Sequence, residues 1–209
     1  MGSVLHFVAR YGDKAVNIRI MNKRMHYSKR RASGFSMLEL LIAILVLVVG
    51  ILGVGMLQSV AKRGVFESSQ RTLATVLAND VLERMRTNPS QALLGSYDGV
   101  FGGGTLAVPR DCAGFAASCS DAETADYDLY QWELMLDGAS VTEGTVNIGG
   151  LTQAKGCIAQ SNGTVTVVIA WHGLAELSDA ASNKSSFAKA CGTADAFRRQ
   201  LIVETFISR

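Results

Sequence analysis

Histidine and proline are scarce in this chain, and paired metal-ligand motifs are missing from it. It contains three histidines and two prolines in 209 residues, and after residue 26 the one imidazole is His172. A nucleophilic Ser or Cys system would therefore rest on His172 alone, and no residue nearby in the sequence is marked as its nucleophile. No Gly-x-Gly-x-x-Gly follows an expected strand and no P-loop is present; Gly102, Gly103 and Gly104 form a lone run. The four cysteines, Cys112, Cys119, Cys157 and Cys191, stand 7, 38 and 34 residues apart without a Cys-x-x-Cys pair, which disfavours a zinc site. The carboxylates Asp111, Asp121, Glu123, Asp126 and Asp128 do not follow EF-hand spacing and read as a solvated acidic face. Lysine and arginine nowhere cluster with aromatics after Gly34, so nucleic acid is not an expected partner. Enzyme chemistry, a cofactor and a metal are all unexpected on these grounds.

What is present in abundance is one apolar run. Residues 35–57 carry a single charge, Glu39, and a helix of this length reaches roughly 34 Å, enough for the ~30 Å hydrocarbon core of a bilayer. Lys23, Arg24, Lys29, Arg30 and Arg31 precede it, so the positive-inside bias puts the N-terminus in the cytoplasm, although Lys62 and Arg63 follow the run. A secretory signal peptide would have a shorter apolar region closed by a small-residue cleavage site, whereas this run passes directly into an amphipathic stretch. Glu39 also argues for a dedicated function, because a carboxylate in a membrane segment costs on the order of 3 kcal/mol on insertion scales.

The string Gly34-Phe35-Ser36-Met37-Leu38-Glu39, together with the apolar residues behind it, resembles the processing signal of type IV pilins and pseudopilins. The resemblance implies cleavage by a prepilin peptidase between Gly34 and Phe35, N-methylation of Phe35, and Glu39 as the fifth residue of the processed chain. It further implies that Glu39 neutralises the terminal amine of a neighbouring subunit during assembly, which gives the buried charge a partner. Residues 1–34 then form a leader that is removed. That leader is long for the family, so translation is expected to begin at Met21 or Met25, with residues 1–20 a start-site artefact. Eight of the twenty cations lie in the leader, and its loss leaves a net acidic chain.

Apolar residues Val65, Phe66, Leu73, Val76, Leu77, Val81 and Met85 recur at helical spacing, and Pro89 offers a stop. One helix is therefore expected from Phe35 to Thr87: residues 35–57 membrane-spanning and filament-core, residues 58–88 an amphipathic extension laying its apolar stripe on a folded domain. Arg71, Asp80, Glu83 and Arg84 would face water or partners. Gly50, Gly53 and Gly55 are expected to make the apolar part easier to bend or pack closely.

Residues 89–209 are expected to form one exported β domain. Gly95 to Asp126 reads as an irregular connector, where the family places a variable loop. Leu129, Trp132, Met135 and Leu136 suggest a short helix over Asp126 to Leu136, ending at Asp137 and Gly138, with Trp132 in the core. Thr145 to Ile148, Gly156 to Gln160 and Thr164 to Trp171 read as strands, with Ser161, Asn162 and Gly163 turning between the last two. The parity of Phe197, Leu201, Val203 and Thr205 against Arg198, Gln200 and Glu204 suggests a half-exposed C-terminal strand. In an oxidising compartment four cysteines favour two disulfides. Of three pairings the preferred one joins Cys112 to Cys119 and Cys157 to Cys191, the larger loop contributing roughly 3 kcal/mol.

The expected fold class is α+β: a long N-terminal helix packed on a small antiparallel sheet. The resemblance implies a minor pilin, most similar to the PilV type, supporting pilus biogenesis, twitching motility and adhesion. Its implied partners are the prepilin peptidase, other minor and major pilins, and the inner-membrane assembly platform. Its implied location is a single inner-membrane pass with a periplasmic domain, then the pilus. A minor pseudopilin of type II secretion shares the membrane half, a pilus-associated adhesin would use the Gly95 to Asp126 loop, and a membrane-tethered enzyme lacks a catalytic constellation.

Overall fold

A computed structural model of the chain describes residues 10–11, 14–15, 34–114 and 117–208. The expected start sites Met21 and Met25 and the basic cluster from Lys23 to Arg31 lie outside them. The chain forms two units, Met1–Gly50 and Ile51–Arg209. In the first, Arg10–Tyr11 (β1) and Lys14–Ala15 (β2) pair antiparallel, an element absent from the sequence reading.

The long helix α1 runs over Met37–Thr87 without a proline. It ends for a local reason. A residue ahead of proline is pushed out of the helical region, and Asn88 sits at φ −128°, ψ 61°, while Pro89 occupies the first turn of α2, Pro89–Leu93. In the second unit α1 buries Gln70, Ala74, Leu77, Ala78, Val81, Leu82 and Met85. Of the expected stripe, Leu77, Val81 and Met85 are buried, Phe66 and Leu73 are half-buried, and Val65 and Val76 are 70% and 57% exposed. The alanines at 74 and 78 allow the backbone to approach the domain closely, and Val76, about 200° round the helix from Ala74, is left on another face.

The sheet has the order β3-β6-β7-β8, with Gly99–Phe101 as β3, Lys155–Ser161 as β6, Thr164–His172 as β7 and Arg198–Phe206 as β8, every neighbour antiparallel. β3 corrects the reading of Gly95 to Asp126 as wholly irregular, since three residues of it pair with Gly156 to Ile158. The β6–β7 turn is two residues, Asn162 and Gly163, both at positive φ of 51° and 84°, the twist that a tight hairpin requires. Thr142–Glu143 (β4) and Val146–Asn147 (β5) make a separate hairpin, so the expected strand at Thr145 to Ile148 is not part of the main sheet.

Helix α3 spans Asp121–Leu136, five residues earlier than expected. Ser120 caps it, accepting from the Glu123 N–H, while the Glu123 carboxylate accepts from the Ser120 N–H at 2.8 Å. This capping box satisfies two otherwise orphaned donors and starts the helix. At the other end the Ala139 N–H reaches the Leu134 carbonyl and the Gly138 N–H the Met135 carbonyl, the pair of bonds that closes many helices.

The core lies between α1, α3 and one face of the sheet, with Trp132, Tyr97, Leu82, Met85, Ile158 and Ile169 fully buried. Trp132 meets Phe101 edge-on at 5.7 Å. Its ring also lies where a side chain at Gly156 would stand, because a Cβ there would come within 2.4 Å of Trp132 Cη2. Glycine at 156 is thus what admits the indole. A second apolar cluster, Cys157, Val168, Ala170, Ala188 and Cys191, packs beneath the short helix α4, Ser186–Ala190.

Candidate processing and assembly segment

Gly34, Phe35 and Ser36 are extended residues that lead into α1. No atom lies within 4 Å of a Cβ built on Gly34, and Phe35 is 85% exposed, so the peptide bond between them is unobstructed among the described residues. Ser36 starts the helix: its hydroxyl oxygen accepts from the Leu38 N–H at 3.3 Å and its carbonyl from the Leu40 N–H at 3.1 Å. Glu39 lies in the first turn of α1, where the unpaired N–H groups and the helix dipole favour a negative charge. No ion pair to Glu39 is formed among the described residues, and residues 34–50 are exposed throughout. α1 is the one described helix long and apolar enough to cross a membrane.

In the second unit the polar side chains act as ties. Arg84 pairs with Asp80 at 2.8 Å and with Asp128 on α3 at 3.1 Å, so neither Arg84 nor Asp128 is simply a water-facing group as the sequence suggested. The Tyr97 hydroxyl donates to Asp128 at 2.9 Å; burial first, and then the Asp128 charge, push that phenol well above its ordinary value. Glu133, 2% exposed, accepts from the N–H groups of Gly102 and Leu106 at 2.8 Å and the Thr105 hydroxyl at 2.7 Å. Burial opposes its charge, but these donors outweigh burial and hold the carboxyl below the usual glutamate range. One turn on, Asp137 at the C-terminal cap of α3 accepts from the N–H groups of Gly103 and Gly104, so one carboxylate of α3 and one at its end clamp the glycine-rich loop.

The disulfides are Cys112–Cys119 and Cys157–Cys191, each with Cα atoms 6.0 Å apart. The second ties α4 to β6. Beside it Arg198 is buried, contrary to its expected half-exposed setting. Its guanidinium pairs with Asp179 at 2.7 Å and donates to the carbonyls of Lys189 and Cys191 at 2.9 and 3.2 Å. The Arg198 bond, ahead of an N–H from Ala181, holds the Asp179 carboxyl below the ordinary range. No sequence period announces this residue, because its partners are 6 to 19 positions away in an irregular segment.

His172 stacks on Phe197 at 4.9 Å and stands 3.8 Å from the Asp195 carboxylate. It borders a cleft of about 960 Å³ that Asp137, Lys155, Trp171 and Arg198 also line, with neither serine nor cysteine in its wall. Among the described residues no three His, Cys, Asp or Glu side chains converge on a metal position. Asp121, Glu123 and Asp128 engage Ser90, the α3 cap and Arg84 respectively, so the acidic group is dispersed into separate contacts.

Two family models match the chain in succession. The prokaryotic N-terminal methylation motif covers residues 29–55, and the type IV pilin Tt1218 model covers residues 56–130, from within α1 through most of α3. No curated protein and no solved structure matches the chain. A long apolar helix followed by a small antiparallel sheet is consistent with the α+β fold of type IV pilins. Over residues 29–130 the chain is similar to the type IV pilins.

Proposed function

We propose that this chain is a minor pilin of the type IV pilus, of the PilV type, that helps to prime or tip the filament. The observation that carries the reading is the methylation-motif match over residues 29–55, which coincides with an exposed Gly34–Phe35 bond directly ahead of α1. In this reading the prepilin peptidase cuts after Gly34, Phe35 is methylated, and residues 35–57 anchor the chain in the inner membrane with residues 89–209 in the periplasm. Glu39 then pairs with the terminal amine of a neighbouring subunit, and two disulfides suit the domain to an oxidising compartment.

The deciding experiment is deletion of the gene followed by separate assays of surface piliation and type II secretion. Loss of piliation with normal secretion is the expected result. Loss of secretion with normal piliation would transfer the chain to the pseudopilins.

A further inference from the structure

Strand β8 ends the sheet, and its far side is an open edge. The Phe197 carbonyl accepts from the Gly173 N–H and the Ile207 N–H donates to the Gly163 carbonyl, both at 2.9 Å and both on the β7 side. Odd-numbered residues of β8 therefore direct their main-chain groups to β7, and even-numbered ones direct theirs outward. The Arg198 carbonyl marks the outer edge by accepting from the Ala180 N–H at 3.4 Å. Beyond it, Gln200, Ile202, Glu204 and Phe206 present main-chain N–H and C=O groups that pair with no described backbone.

Natural sheets blunt such edges with proline, lysine, a bulge or a covering element. β8 contains neither proline nor lysine, and its register with β7 is unbroken from Thr164↔Phe206 to His172↔Arg198. Phe206 is 68% exposed at its end. The opposite edge, β3, is only three residues long. One edge is thus naturally short, and the other is long and open from Gln200 to Phe206, with Glu204 its one exposed charge.

The direction of β8 says what fits it. Glu67 lies 3.7 Å from Arg199 and Arg86 lies 3.2 Å from Thr205, so β8 runs in the same sense as the stretch of α1 it faces. Two copies with their α1 helices in the same sense bring their β8 strands together in parallel, the less stable pairing. β3 of a second copy would run antiparallel to β8 but at three residues covers little of it, so a longer strand from another subunit fits the edge better. We propose that β8 accepts an antiparallel strand from a different pilin subunit, which extends the sheet through Gln200, Ile202, Glu204 and Phe206. This inference rests on the reading of the chain as a pilus subunit. The added strand has no proline at its inward positions, an apolar residue opposite Ile202, and no carboxylate opposite Glu204.

Parity supplies a selective test in the full-length chain expressed with its assembly system. Ile202→Pro removes an outward N–H and leaves every β7–β8 bond in place, whereas Val203→Pro removes an inward one and serves as the unfolding control. The expected result is a near wild-type membrane level and a modestly lowered melting temperature for Ile202→Pro, whose side chain packs on the Cys157 and Cys191 cluster, with recovery in sheared pili reduced about tenfold or more. A photo-reactive phenylalanine analogue in place of Glu204, in an otherwise native chain, should give a crosslink whose mass includes a different pilin. That arm stands even if Ile202→Pro fails to fold. Wild-type recovery of a folded Ile202→Pro variant, homodimeric crosslinks only, or no crosslink would overturn the proposal. If deletion abolishes piliation while Ile202→Pro assembles normally, the edge proposal falls and the pilin reading stands; if deletion leaves piliation intact, the reading falls first.

Discussion

The indole N–H of Trp132 on α3 donates to the main-chain carbonyl of Leu77 on α1 at 2.8 Å, across 55 residues of sequence. It joins the two helices at the centre of the core, where Trp132 is fully buried. Trp132→Phe removes the donor and leaves a gap beside Gly156, so it should destabilise the chain by about 2 to 4 kcal/mol. Chemical denaturation of the detergent-solubilised protein measures this, and a loss under about 0.5 kcal/mol would show that the contact is marginal.

The two disulfides should contribute unequally. Their sequence separations are 7 and 34 residues, and closing the longer loop restricts the unfolded chain more. Replacing Cys157 and Cys191 together by serine should cost about 3 to 4 kcal/mol, against about 2 to 3 kcal/mol for Cys112 and Cys119. Thermal unfolding of the two double variants under oxidising conditions compares them directly, and the expected order is the lower melting temperature for the Cys157 and Cys191 pair.

Acid should release the glycine-rich loop. Glu133 is held below the ordinary glutamate range in the folded chain, so its contribution is full above that range and is lost as pH falls through the depressed folded value. Asp179, also depressed through Arg198, acts in the same direction. Stability measured from pH 7 downward should therefore decline below the usual carboxylate range, and the Glu133→Gln variant should show a shallower decline from a lower starting stability. A profile unchanged by Glu133→Gln would contradict the clamp.

Gly34 offers the most direct check on processing. Replacing it by a larger residue should leave the uncut precursor in the membrane, because the bond to Phe35 is the proposed cut. Intact mass of the membrane-extracted chain distinguishes the forms, and a normally shortened product would refute the assignment.

Glu39→Ala should insert normally and assemble poorly. Removing the carboxylate does not hinder insertion while it deletes the proposed partner of the neighbouring amine. Quantifying the chain in membranes and in sheared pili separates the two effects. Wild-type recovery in pili would count against the charge-pairing role.

Features that depend on neighbours in sequence were legible beforehand. The apolar run, the pre-proline end of α1, the Asn162-Gly163 turn and the stop at Asp137 and Gly138 each arise from a few adjacent residues acting through local sterics and hydration. The Ser120 to Glu123 capping box is equally local, a four-residue motif that starts α3 at Asp121.

Tertiary contacts decided the rest. Which face of α1 is buried depends on close approach, so Ala74 and Ala78 lie against the domain while Val65 and Val76, more apolar, remain exposed. β3 exists because Gly99 to Phe101 finds an unpaired edge of β6, which its own composition cannot announce. Arg198 reads as a surface residue until Asp179 and the carbonyls near Cys191 surround it. The chain's order of residues thus specifies a long apolar helix and the antiparallel ribbons after it, because those rest on short-range forces. The burial of charge and the open edge of β8 follow only from assembling distant segments, whose partners are set by packing and hydrogen-bond completion in three dimensions.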